Sequence, residues 1–179
     1  MIETDDPRSR RVWVRAAMLV GAGGFVAFWV YALFFASKDA INKIGDTAWG
    51  RRAEQICVAA NAERESLIDL RRFDGDDRAL LTERAGFVDQ ATDLVEGMLD
   101  DVVAALPTDD KGRAIVPMWE ADYRAYLDNR RDYADRLREG DDSLFRETAV
   151  DGIPVGEKLQ TFAADNDMPA CAPPTDLTQ

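Results

Sequence analysis

The sequence contains no histidine. That one absence removes His-dependent triads, imidazole metal ligands and the side chain that titrates nearest neutral pH. Cysteine is scarce: Cys57 and Cys171 are too few for a four-thiolate metal site. The lysines are limited to Lys38, Lys43, Lys111 and Lys158, none in a recognisable catalytic motif. Basic surplus is missing too. The 179 residues carry 22 basic and 34 acidic side chains, a formal charge of −12, which disfavours nucleic acid as a partner. Acidic pairs occur at Asp76/Asp77, Asp100/Asp101, Asp109/Asp110 and Asp141/Asp142. None shows the alternating acids, central Gly and terminal Glu of a calcium loop, so they read as helix caps and solvated turns. The reading is therefore of a protein that is not an enzyme, with no catalytic residues, no metal and no cofactor.

Charge is also absent from Ala16 to Ala36, and this absence is informative in itself. As a helix, 21 residues span about 31 Å, against a hydrocarbon core of roughly 30 Å. Nine Leu, Val and Phe side chains favour insertion by roughly 4 kcal/mol together. A cleaved signal peptide would have a shorter apolar core and a small-x-small cleavage site. Phe34 before Ala36 and Lys38 before Ala40 supply none, so the segment reads as a retained signal anchor. Arg8, Arg10, Arg11 and Arg15 before it, against Lys38 and Lys43 after it, favour a cytoplasmic N-terminus. Residues 37–179, with 18 basic and 31 acidic side chains, then lie outside a plasma membrane crossed once. Inside the span, Ala17 and Gly21, and Gly23 and Ala27, are four apart, a spacing at which small residues admit a second helix. Gly and Ala are also simply common in membrane helices.

Beyond the span the pattern is helical. Apolar residues from Ile41 to Leu70 recur at helical spacing over about 40–72, loosened by Gly45 and Gly50 and stopped at Asp74-Gly75-Asp76-Asp77. A second helix is expected over 77–105, with Leu81, Val88, Ala91, Val95, Met98 and Val102 as its stripe. A third is expected over 114–139, with Pro117 in its first turn. Leu144 to Val150 read as a short strand or loop turning at Asp151-Gly152, and a short helix follows from Pro154 to Asp165. The expected fold class is all-α: an N-terminal transmembrane helix plus a small extracytoplasmic up-down helical bundle of three long helices and one short. The divisions are 1–15 cytoplasmic tail, 16–36 transmembrane helix, 37–52 juxtamembrane helical connector, 53–172 bundle and 173–179 flexible tail.

Two sets of side chains stand out. Cys57 and Cys171 lie on the same side of the span, and an even count in an oxidising compartment invites a disulfide. In the chain-entropy model it restricts the unfolded state by roughly 4–5 kcal/mol and staples the tail to the bundle. Two free thiols are the alternative. On the third helix, Trp119, Tyr123, Tyr126 and Tyr133 share a face with Arg130. They form either an aromatic ligand pocket with a cationic anchor or a bundle core in which Arg130 pairs with an acid on a neighbouring helix or snorkels. Asp122 and Asn129 stand close enough to join either network.

The run Trp119-x2-Asp122-Tyr123-x2-Tyr126-x3-Arg130-x2-Tyr133-x3-Leu137 is followed by Gly152-Ile153-Pro154 and Phe162-x3-Asn166-x-Met168-x2-Cys171-x-Pro173. With Cys57-x3-Asn61 upstream, it resembles a group of uncharacterised actinobacterial single-pass membrane proteins with a helical outer domain and two cysteines. The resemblance covers most of residues 10–174. It implies the disulfide and the single-pass topology and brings no catalytic motif. The function expected is that of a membrane-anchored interaction module, an accessory or scaffold subunit with the membrane and an unidentified protein as partners. A small-molecule-binding module using the aromatic face is the alternative.

Overall fold

The computed structural model describes residues 7–35, 40–67 and 77–177. The chain divides into two compact units, Met1–Asp39 and Ala40–Gln179. Ala36, Lys38, and Leu70 with the expected stop at Asp74 to Asp76, lie outside the described residues.

Among the described residues the first unit is one helix, α1 (Pro7–Phe34). Its stretch Trp13–Phe34 is long and apolar enough to cross a membrane, by length and composition, and none of it is buried. Leu19, Val20, Phe25 and Phe34 all point outward, with no polar face between them. Ala17, Gly21, Gly23 and Ala27 are exposed as well, and nothing stands within 4 Å of a Cβ built on Gly21 or Gly23.

The second unit is mostly helical. Its elements are α2 (Thr47–Glu65), α3 (Arg78–Val103), α4 (Asp110–Glu139), strands β1 (Ala149–Val150) and β2 (Ile153–Pro154), α5 (Val155–Asp165) and a 3-10 turn (Pro169–Cys171). Each long helix starts at an aspartate. Asp77 accepts from the backbone N–H groups of Ala79 and Leu80 at the head of α3. The heads of α2 and α4 are capped jointly. Asp46 accepts from Ala48 and Trp49 N–H with one oxygen and from the Thr108 N–H and hydroxyl with the other. Asp109 accepts from Gly112 N–H in its own helix and from the backbone N–H of Asp46. Each carboxylate thus serves its own helix and grips the entrance to the other. At its far end α4 stops at Gly140, whose φ of 90° only glycine adopts freely; Gly140 N–H and Asp141 N–H return to Leu137 and Arg136 carbonyls.

α3 and α4 run antiparallel, the start of α3 meeting the end of α4 where Arg78 donates to the Glu139 carbonyl at 2.6 Å. Their inner faces bury Leu81, Ala85, Val88, Val95, Met98 and Val102 against Tyr126, Leu127, Tyr133, Ala134 and Leu137. Along the outer seam Arg124, Arg131 and Arg138 stand seven residues apart on α4. They engage Asp100 (2.8 Å), Glu96 (2.6 Å) and Asp89 respectively on α3. The hairpin β1–β2 turns through Asp151 and Gly152, both at positive φ, as an Asp-Gly pair favours.

Four sequence expectations need correction. The helix expected from residue 40 begins at Thr47, so in the expected 37–52 connector residues 40–46 are not helical and 47–52 are, while 37–39 lie outside the described residues. Ile44 and Trp49 are core residues, and Asn166 at the end of α5 ties the preceding turn down by accepting from Ile44 N–H (2.9 Å) and donating to the Asn42 carbonyl (3.1 Å). Gly50 does not break α2. It lets the Asn166 carbonyl approach, which would stand 2.9 Å from any Cβ there. Pro117 lies in the eighth position of α4, not in its first turn, because capping by Asp109 starts the helix at Asp110. The fourth correction is the tail: residues 173–177 are not loose. Leu177 is buried, and Tyr126 and Arg130 bind Pro174 and Asp176.

The expected cystine is present: Cys57 and Cys171 are bonded at 2.02 Å across a sequence separation of 114. Glu54 and Asn61, on the same face of α2, take the N–H and the carbonyl of Ala170 at 2.9 and 2.8 Å. Replacing Cys57 and Cys171 by alanine is expected to lower the unfolding free energy by about 2–5 kcal/mol, read from the urea midpoint of the Trp49 and Trp119 fluorescence. Gly50→Ala should also destabilise, since the clash is with backbone.

Candidate functional site

The inner face of α4 is set by helical spacing. Trp119, Tyr123, Tyr126, Arg130 and Tyr133 follow one another at three or four residues and are all buried. The rings form a continuous file. Trp119 meets Trp49 and Tyr123 edge-on and stacks on Phe162 at 5.4 Å. Tyr123 meets Tyr126, and Phe145, from the segment before β1, fits its ring between Tyr126 and Tyr133. The space that an aromatic ligand would need is filled by the chain's own rings. Burial pushes both the Tyr123 and Tyr126 phenols up from their usual range.

Arg130 interrupts this file with a fully buried charge. Its partners come from two elements. The Thr92 hydroxyl of α3 accepts from Nε at 3.0 Å, and Asp176 in the tail accepts from Nη1 and Nη2 at 2.8 and 2.9 Å. This two-pronged geometry is the strong form of the guanidinium–carboxylate pair. Thr92 passes its own proton to the Val88 carbonyl at 2.6 Å, completing the layer. Above it lies the larger apolar cluster around Trp49, Trp119 and Phe162, and below it the smaller one of Leu81, Ala85, Val88, Tyr133, Leu137 and Leu177. Arg130, Thr92 and Asp176 are therefore a polar layer between two oily ones. Burial works to raise the Asp176 carboxyl, but the Arg130 hydrogen bonds and charge, aided by Arg64, hold it below the usual carboxylate range. Arg130 itself is opposed by burial, and Asp176 outweighs that and raises it.

The acid that pairs with Arg130 comes from the tail rather than from a neighbouring helix, as the sequence had suggested. Asp122 and Asn129 serve elsewhere. Asp122 pairs with Lys158 of α5 at 2.6 Å, and Asn129 donates to the Thr148 hydroxyl at 3.0 Å, holding the segment before β1. Sequence reasoning missed Asp176, Thr92 and Arg64. A signal existed for the first: a buried arginine needs an acid, and Asp176-Leu177 joins an acid to an apolar residue five positions past a cystine. The acid pairs fall where capping and solvation place them. Asp77 and Asp109 cap helices, Asp100 meets Arg124, and Asp141 accepts from Ser143 N–H. Among the described residues no three His, Cys, Asp or Glu side chains converge as a metal site would require.

A second feature is a surface groove between α4 and α5. It is lined by Ile115, Met118, Trp119, Ile153 and Phe162 and edged by the Asp122–Lys158 pair. Met118 and Ile153 are exposed there.

Two measurements test the polar layer. Arg130→Ala should cost about 3 kcal/mol, because it strands the half-buried Asp176 and the Thr92 hydroxyl. Arg130→Leu combined with Asp176→Ala should cost less than the sum of the two single changes in a urea double-mutant cycle. Acid should act through the lowered carboxyls. Backbone hydrogen bonds from Thr108 and Trp49 hold Asp46 at about 2, and Asp176 is lowered too. Groups depressed in the fold stabilise it above their unfolded pKa of about 4 and lose that contribution as pH falls through the folded value. The melting temperature should therefore be level from pH ~8 to ~5 and fall most steeply between about 4 and 2. No protein family, curated protein or solved structure matches the chain, so these residues are the basis for any functional reading.

Proposed function

We propose that the chain is a single-pass plasma-membrane protein whose acidic helical domain lies outside the cytoplasm and acts by non-catalytic contact, as an accessory or scaffold subunit of a membrane or envelope complex. The observation that carries this reading is the pairing of an unburied apolar helix, Trp13–Phe34, with a cystine in the other unit. An exposed rod of this composition would expose oily surface to water at about 25 cal/mol per Å², whereas a bilayer would cover it. A disulfide that persists belongs to an oxidising compartment. The flanking arginines favour the same topology. α2, α3 and α4, with α5 packed on α4, suit an up-down bundle, and the quoted motifs support kinship with the actinobacterial group. For the contact itself, the groove at Ile115, Met118 and Ile153 supplies exposed apolar surface of the kind partners cover. The rings and Arg130 of α4 are engaged within the domain, which weighs against the small-molecule alternative.

The test is topological. The chain should sediment with membranes after alkaline carbonate washing. A cysteine introduced by Leu144→Cys, at an exposed position, should react with a membrane-impermeant maleimide in intact cells, and Ser9→Cys only after lysis. Recovery of intact chain in the soluble fraction, or the opposite labelling pattern, would overturn the reading.

A further inference from the structure

Residues 172–177 lie on α4 in a manner unlike ordinary core packing. Ala172 is extended, at φ −64° and ψ 151°, and Pro173-Pro174 continue that conformation by preference. Contacts with α4 then recur at every second residue. The Ala172 carbonyl accepts from the Tyr123 hydroxyl at 3.5 Å, the long limit of a hydrogen bond, and the Pro174 carbonyl accepts from the Tyr126 hydroxyl at 2.7 Å. The Asp176 carboxylate accepts the Arg130 fork. Leu177 then enters the lower apolar cluster. Backbone carbonyls held at alternate positions, a charged anchor and an apolar side chain in a pocket are the means by which proteins read extended peptides.

The positive charge of the groove does not come from Arg130 alone. Arg64 of α2 brings a second guanidinium, with Nη1 3.8 Å from Asp176, and its Nε is buried with no hydrogen-bond partner. Among the described residues, both Arg64 and Arg130 approach the Asp176 carboxylate, in a chain whose formal charge is −12. Among the described residues beyond Cys171, the segment is held to α4 by non-covalent contacts, so its docking is a local equilibrium.

We infer that the Tyr123, Tyr126 and Arg130 face of α4, with Thr92 and Arg64, is a peptide-docking groove occupied by the chain's own tail as a resident ligand. In exchange it takes an extended acidic segment of a partner protein that presents proline, a polar residue, aspartate and an apolar residue in that order. This rests on the reading of the domain as an interaction module and names that module's partner chemistry. The tail competes with the partner at a high effective concentration, which sets a threshold that only a well-matched segment passes.

The test uses the full-length, disulfide-bonded chain in mild detergent, with Asp176→Ala to loosen the resident tail. The probe is a fluorescent peptide of sequence Ala-Pro-Pro-Thr-Asp-Leu-Thr-Gln. Saturable binding is expected, at least tenfold weaker for the peptide carrying Asp176→Asn and at least tenfold weaker for the unaltered protein, whose own tail competes. A folded Asp176→Ala chain that does not saturate at millimolar peptide, or one that binds both peptides equally, would overturn the inference. Should Asp176→Ala fail to fold, hydrogen exchange on the unaltered chain decides. The Thr175 to Leu177 amides should exchange at least tenfold faster than those around Tyr126, by local release; exchange only at the rate of global unfolding would overturn it. Wild-type dimers dissociated by the peptide would assign the groove to a second copy and overturn the partner reading. Soluble recovery of the chain would sink the membrane-anchored reading and leave peptide binding untouched, so the two failures are distinguishable.

Discussion

A guanidinium sealed inside a helical domain is the constraint from which much of this structure follows. Taking a charge out of water costs several kcal/mol unless a counter-charge and hydrogen bonds replace the lost hydration. Among the described residues Arg130 takes its acid from neither its own helix nor α3, which supplies the Thr92 hydroxyl. The missing charge must therefore be delivered by chain from elsewhere, and it comes from Asp176, 46 residues away in sequence. That need fixes the course of the C-terminal segment. It crosses Tyr123 and Tyr126, meets Arg130 and ends with Leu177 covering Leu81, Ala85 and Leu137.

The segment can reach Arg130 because α2 aligns it first. Glu54, Cys57 and Asn61 recur at three and four residues on one face of α2 and receive Ala170 and Cys171 by two hydrogen bonds and a covalent bond. From Cys171 the distance to be covered is short, so little further chain entropy is lost in docking Asp176. α2 is itself set by the shared caps at Asp46 and Asp109 and by the Trp49 indole N–H, which donates to the Ala105 carbonyl just past the end of α3 at 2.8 Å. The polar layer on α4 is thus supported by contacts that begin at the opposite end of the domain.

Much of this was legible in the sequence wherever the signal is local and periodic. The stripe of α3, the capping aspartate at Asp77, the Asp151-Gly152 turn, the short helix from Val155 and the uncharged N-terminal stretch all follow from spacing or composition. The aromatic residues of α4 were identifiable as one face on the same grounds. What spacing could not give was what lies on that face. Asp176 and Arg130 are non-local partners, and helical periodicity is silent about a tail without periodicity. The entrance at Ile44 to Trp49 was misread for a related reason. Glycines at 45 and 50 weaken a helix by propensity, but Gly50 is there because the Asn166 carbonyl comes close, a tertiary fact. Pro117 misled in the same way: proline suits a first turn, and the first turn was set instead by Asp109 upstream.

The seven-residue ladder of Arg124, Arg131 and Arg138 works like the teeth of a rack. Oily stripes tolerate sliding, since a Val or Ala moved one turn along still finds cover. Charged teeth do not. A shift of α3 along α4 by a single turn, about 5.4 Å, would unmesh Asp100, Glu96 and Asp89 from their arginines together. Each exposed pair is worth little alone. Acting in concert they penalise every misaligned docking of α3 on α4 while adding modestly to the strength of the aligned one. The ladder's contribution is thus to uniqueness, selecting one alignment from several that hydrophobicity alone would accept.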